Sequence, residues 1–175
     1  MKNNLTPFIK PHEILSEDEI KYLKKKDDLR GISLIIHAWV AIFICVSIYS
    51  LFPNAFTFLL AVILIGGRQL GLAILMHEGA HGLINNKAKS NDFISQWLCA
   101  FPVWLDTYGY RHYHLSHHRH TQKEEDPDIG LSKPFPVSKK SFSRKVMRDL
   151  FGISGSQQRY ELIFNILLNK EVTKE

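Results

Sequence analysis

The sequence predicts an all-α fold, an integral membrane helical hairpin that carries a helical, cytoplasmic, histidine-rich region. Two long apolar runs separated by Pro53-Asn54 predict the hairpin. The second part follows from nine histidines, of which His77 and His81 fall in HEGAH and His112, His114, His117, His118 and His120 crowd into RHYHLSHHRH. So dense a set of imidazoles suits a metal better than a core, and imidazole accepts iron, zinc, copper and nickel. Lysine and arginine outside both apolar runs set the orientation.

Residues 1–30 form a polar cytoplasmic lead, with a short helix starting at Ser16, where Ser16 followed by Glu19 has the form of a capping box. Residues 32–52 hold only His37 as an ionisable group, and as a helix they measure about 31 Å, the hydrocarbon thickness of a bilayer. Residues 55–76 are long enough to cross back, with Arg68 and Gln69 as the strongly polar members. A pair of buried helices in a soluble protein is the competing reading, but the rest of the chain is too polar to surround two such helices. A cleaved signal peptide does not fit an apolar run that begins after thirty polar residues. Lys21, Lys24, Lys25, Lys26 and Arg30 precede the first span and Lys87 and Lys89 follow the second, so both termini and the histidines should be cytoplasmic. The net charge of +5 is explained by these flanks; no basic stripe with interleaved aromatic residues points to nucleic acid. Cys45 and Cys99 are isolated and read as packing residues.

The second span should continue as a helix through HEGAHG, with Asn85-Asn86 as its stop signal. Residues 92–105 are apolar and aromatic but short and interrupted by Pro102, which predicts an interfacial or partly re-entrant segment. Residues 108–122 should be helical and end before EEDPD, where Pro127 forbids easy continuation. The organisation is then a lead at 1–30, a membrane domain at 31–130, and a cytoplasmic segment at 131–175 with a modest helix around 159–168.

On a helix His77 and His81 share a face, as do His114, His117 and His118 at i, i+3, i+4. These five are the expected metal ligands. His112 falls nearly opposite that group and His120 at its margin; with Asp126 and Asp128 they are candidates for an additional ligand or an outer contact. Five imidazoles exceed what one tetrahedral ion needs, so a dinuclear centre fits better. Neutral imidazoles leave cationic charge uncompensated, and Glu78, Asp106, Glu125, Asp126 and Asp128 are the carboxylates at hand. His12 and His37 have no partners in sequence. Arg68 is a costly charge within a span, either a functional group paired near the metal or a side chain snorkelling to the headgroups. Gly67 and Gly71 form a GxxxG pattern of close helix packing.

With these motifs the chain resembles the membrane-bound fatty acid desaturase and hydroxylase superfamily. Its boxes HxxxH and HxxHH look like His77-Glu78-Gly79-Ala80-His81 and His114-Leu115-Ser116-His117-His118, in the same order, after an apolar hairpin and before EDPD. The resemblance covers roughly residues 31–128. It implies a centre of two non-haem iron ions, O2 as oxidant and a lipid acyl chain as substrate, hence a fatty acid desaturase. It also implies an external donor of ferredoxin or cytochrome type, since no flavin or nicotinamide fingerprint is present. Lys123, Lys133, Lys139, Lys140, Arg144, Lys145 and Arg148 offer a basic surface to such a donor or to anionic headgroups. Carotenoid ketolases and hydroxylases and alkane hydroxylases share related boxes. The superfamily also has a third box after further spans, whereas no histidine follows His120, so the chain reads as the N-terminal portion of such an enzyme. HEGAH also satisfies the HExxH pattern of zinc metalloproteases, with Glu78 as general base, but that leaves the second cluster unexplained. A metal-binding fragment without turnover is the non-enzymatic alternative.

Overall fold

The structure, a computed structural model, describes residues 10–168, whose regular elements are all helices, with no strand among them. The first nine residues of the lead and the last seven of the chain lie outside the described residues. The chain divides into two compact units, Met1–Arg119 and His120–Glu175.

In the first unit α1 (Glu17–Leu23) opens with the expected capping box. Ser16 Oγ accepts from the Glu19 N–H at 3.3 Å, and the Glu19 carboxylate accepts from the Ser16 N–H at 2.9 Å. The Ser16 hydrogen bonds hold the exposed Glu19 carboxyl below the usual carboxylate range. Asp27 caps α2 (Asp28–Leu51), accepting from the Arg30 N–H at 3.1 Å. The first span thus begins four residues before Ile32. Its 24 residues rise about 36 Å, enough for the bilayer core.

The turn is where Pro53-Asn54 predicts it. Asn54 Oδ1 accepts from the Thr57 N–H at 3.0 Å while Thr57 Oγ1 accepts from the Asn54 N–H at 3.2 Å, a second reciprocal cap. From it rises α3 (Ala55–Ala80), 26 residues long. Both helices are long and apolar enough to cross a membrane, and few of their residues are buried. Phe43, Phe56 and Ile63 are 62%, 74% and 70% exposed. An apolar face of this extent is stable against lipid rather than water. The inner face is narrow: Ile35 packs with Met76, Ile84 and Cys99, and Ala38 with Leu72 and Val103. Gly67 and Gly71 do not belong to it. A Cβ at either would meet nothing within 4 Å, so the GxxxG pattern does not serve helix packing within the described chain.

The stop signal of α3 also differs from expectation. The helix ends at Ala80, because Gly82 at φ +72° takes the left-handed conformation that closes a helix C-terminus. Asn86 instead ties the connection to the start of α2, its N–H and Nδ2 donating to Asp28 Oδ1 at 2.7 and 2.9 Å. Residues 92–105 are wound rather than extended. The helix α4 (Ala88–Ile94) runs into a π-helical stretch, Ser95–Ala100, then a 3-10 turn, Phe101–Val103, broken at Trp104 with φ 60°. Its inner side, Ser95, Cys99 and Ala100, is buried, while Trp97, Phe101 and Trp104 are exposed. Helix α5 (Thr107–His120) then carries the second histidine cluster and stops short of Pro127, as expected.

The second unit contains α6 (Ile129–Ser132), α7 (Lys139–Leu150) and α8 (Ile153–Leu168). The expectation of one modest helix around 159–168 is too sparse. Helix α8 starts six residues earlier, and α7 is a full amphipathic helix capped by Ser138, whose Oγ accepts from the Ser141 N–H at 3.2 Å. Its high lysine and arginine content disguised it as irregular chain.

Candidate metal centre

The last turn of α3 and the middle of α5 meet through their histidines. The ring centroids of His77 and His81 lie 4.8 Å apart, those of His77 and His114 4.4 Å, and those of His81 and His118 5.0 Å. His114 is central: its Nε2 is 3.0 Å from His81 Nε2 and 2.9 Å from His118 Nε2. One nitrogen from each of His77, His81, His114 and His118 falls within a 4.8 Å group. Three Nε2 atoms cannot all satisfy one another, because a neutral imidazole offers one N–H and one lone pair. Nitrogens about 2.1 Å from one ion and about 90° apart would stand about 3.0 Å from each other, so the donor set fits a transition metal.

Electrostatics favour the ligand form. Burial, then the neighbouring imidazoles of His77, His118, His81 and His117, push the His114 pKa down to about 4. Burial, then His77 and His118, lower that of His81, with Glu78 opposing. Both are therefore neutral at neutral pH and present lone pairs. Glu78 Oε1 is 3.1 Å from His77 Nδ1, and a proton held there leaves His77 Nε2 as the free donor atom.

His117 stacks on His114 at 6.0 Å and lies outside the four-nitrogen group. His112 is exposed on the far side of α5, and His120 ends that helix, its carbonyl accepting from the Lys123 N–H at 2.8 Å. Asp126 is buried and organises the EEDPD turn, accepting from the Gln122 and Asp128 N–H groups at 2.9 Å each. Glu125 is exposed. Asp106 caps the start of α5 through the Gly109 N–H at 2.6 Å. Arg68 is half-buried in the middle of α3, nine residues or about 13 Å of helix before His77, with no ion pair among the described residues.

A polar framework that the sequence does not advertise holds the two boxes together. Arg111 reaches from α5 to the end of α3, where its Nε donates to the Ala80 carbonyl at 2.8 Å and its Nη2 to that of Gly79 at 3.1 Å. The same guanidinium pairs with Asp92 at 2.5 Å. It thereby fills the role of a C-terminal helix cap. That hydrogen bond lowers the Asp92 pKa and raises that of Arg111. Beneath it, buried Asn91 donates to the Gly79 carbonyl at 2.8 Å, and Ser95 and Thr107 share a hydrogen bond of 2.9 Å. Gln96 joins Asp106 and the Thr107 N–H, each at 2.9 Å. Tyr110 stacks on His114 with 5.1 Å between centroids, its hydroxyl 3.4 Å from Nδ1. Tyr110 meets His114 at the i, i+4 spacing of one helix face, but nothing local shows that the partner of Arg111 lies 31 residues upstream.

The molecule is thus a helical membrane hairpin with an imidazole cluster at one end, built from an HxxxH and an HxxHH box. The sequence model described as fatty acid desaturase matches residues 53–170, and the chain belongs to that family. It is 28% identical over 107 residues to a dihydrorhizobitoxine desaturase of Bradyrhizobium elkanii, covering 60% of this chain and 30% of that protein. It is 34% identical over 83 residues to a beta-carotene ketolase of Paracoccus sp. (strain PC1), covering 43% of this chain and 33% of that protein. The match therefore spans about a third of the length of these relatives. No solved structure matches the chain significantly.

Proposed function

We propose that this chain contributes the first two histidine boxes of a membrane-bound, O2-dependent di-iron oxidoreductase that acts on lipid acyl chains, most specifically as a fatty acid desaturase. The single observation behind the proposal is the convergence of His77, His81, His114 and His118, from two boxes of the family pattern, within 4.8 Å. In this reading these four and His117 hold two non-haem iron ions. Bound there, the irons would supply the O2 activation that protein side chains cannot.

The chain's own residues do the rest. Burial keeps His81 and His114 neutral. Glu78 holds the proton on His77 Nδ1 and turns Nε2 toward the centre. Arg111 and Asp92 fix the distance between the boxes. In this reading the centre lies at the membrane end where α2 begins and α3 stops, and the lysine-rich flanks support a cytoplasmic side for it. Substrate approaches from the bilayer, and electrons from a soluble ferredoxin-like or cytochrome-like donor. The ketolase relative supports a second reading, carotenoid or alkane oxidation at the same centre. The protease reading has less support, since both boxes share one cluster and Glu78 is engaged by His77.

The test is metal loading. Full chain in lipid nanodiscs, loaded with Fe(II) under argon, should hold iron with a Mössbauer signature of nitrogen ligation and should lose it in His81→Ala and His114→Ala. Retention by both variants would overturn the ligand assignment. Products formed from a labelled acyl lipid and from a carotenoid, with reduced ferredoxin and O2, separate the two substrate readings.

A further inference from the structure

A cavity of about 670 Å³ lies apart from the histidine nitrogens, between the α1–α2 connection and the end of the hairpin. Its rim carries Lys24, Lys25, Lys26 and Arg30. Leu34 and Leu75, further along α2 and α3 from those helix ends, add apolar side chains to its lining. The charge balance is one-sided in an instructive way. Two acids also line the cavity, Asp27, which accepts from the Arg30 N–H at the cap of α2, and Glu78, which lies beside His77, so the lining holds four cations against two anions. The four cationic side chains have no hydrogen bond or ion pair among the described residues. Leu34 lies six residues into α2 and Leu75 five before the end of α3, so the cavity descends about 8 Å from the helix ends toward the hydrocarbon. A basic rim at headgroup level above an apolar floor at acyl level has the polarity of an anionic lipid.

We propose that this cavity binds one anionic glycerophospholipid, its phosphate against Lys24, Lys25, Lys26 and Arg30 and the upper part of one acyl chain against Leu34 and Leu75. The site is built by the α1–α2 connection and the end of the hairpin and is independent of metal loading. The lipid would staple the polar lead to the end of α3 that carries the first box, with Glu78 as the wall between cavity and metal centre.

Native mass spectrometry of the full chain in neutral detergent tests it, with dioctanoyl phosphatidylglycerol, dioctanoyl phosphatidylcholine and inorganic phosphate as probes. One phosphatidylglycerol should be retained per chain, with at least tenfold preference over phosphatidylcholine. Each juxtamembrane cation contributes roughly fivefold to anionic lipid binding, so the combined variant Lys24→Gln, Lys25→Gln, Lys26→Gln, Arg30→Gln should lose at least twentyfold. Leu34→Trp, which fills the floor without changing charge, should weaken phosphatidylglycerol severalfold. Neutralising Lys139, Lys140, Arg144 and Lys145 on α7 should change nothing. Equal retention of the two lipids, displacement by inorganic phosphate at similar concentration, indifference to Leu34→Trp, or an equal loss on neutralising α7 would each overturn the proposal.

Discussion

Among the histidines, helix geometry decides what spacing alone leaves open. At about 100° per residue, His118 stands about 40° from His114 on one side and His117 about 60° on the other. The end of α3 lies on the His118 side, so His118 enters the four-nitrogen group and His117 stacks behind. His114→Ala should therefore abolish tight metal binding, while His112→Ala, on the exposed face, should leave it within about twofold; chelator competition on the purified chain measures both. The Arg111–Asp92 pair has its own pH signature. Its partner holds the Asp92 pKa below the ordinary carboxylate value, so the pair's stabilisation is complete above about pH 5 and is lost as pH falls through that lowered value. Asp92→Asn should lower thermal stability by about 1–3 kcal/mol at pH 7, and the difference from wild type should shrink progressively below about pH 4. A difference constant from pH 7 to pH 3 would show that the pair contributes no charge-dependent stability.

Between elements, α3 and the π-helical stretch approach so closely that a glycine is required. A Cβ on Gly79 would overlap the Ser95 side chain, and Ser95 is fully buried. The middle residue of HEGAH is therefore set by packing against a neighbour 16 positions downstream. Gly79→Ala should destabilise by about 1–3 kcal/mol despite alanine's better helix propensity, since overpacking outweighs it. Combining it with Ser95→Gly, which removes the clashing atoms, should recover part of that loss in a double-mutant cycle of thermal unfolding. The boundaries of α3 and α7 show why elements were only partly legible. An apolar run announces a span through composition, but the end of α3 depends on one backbone angle at Gly82, and α7 depends on a cap and a narrow apolar stripe of Phe142, Val146 and Met147 within a strongly basic sequence.

Over the whole molecule, the hairpin puts the start of α2 and the end of α3 on the same membrane face. Single cysteines at Lys21 and Lys87, in a background with Cys45 and Cys99 replaced, should both react with a membrane-impermeant maleimide only from the cytoplasmic side. Labelling from opposite sides would break the hairpin, and labelling of both from outside would invert it. Local composition determined the two spans, the turn at Pro53-Asn54, the helical spacing within each histidine box and the likeness to desaturases, because apolar length and helical period are properties of neighbours in sequence. Only the tertiary structure decided which histidines converge and what holds them there. Arg111 meets Gly79 and Ala80 across a fold of more than thirty residues, and the contact exists only when α5 has docked on the end of α3.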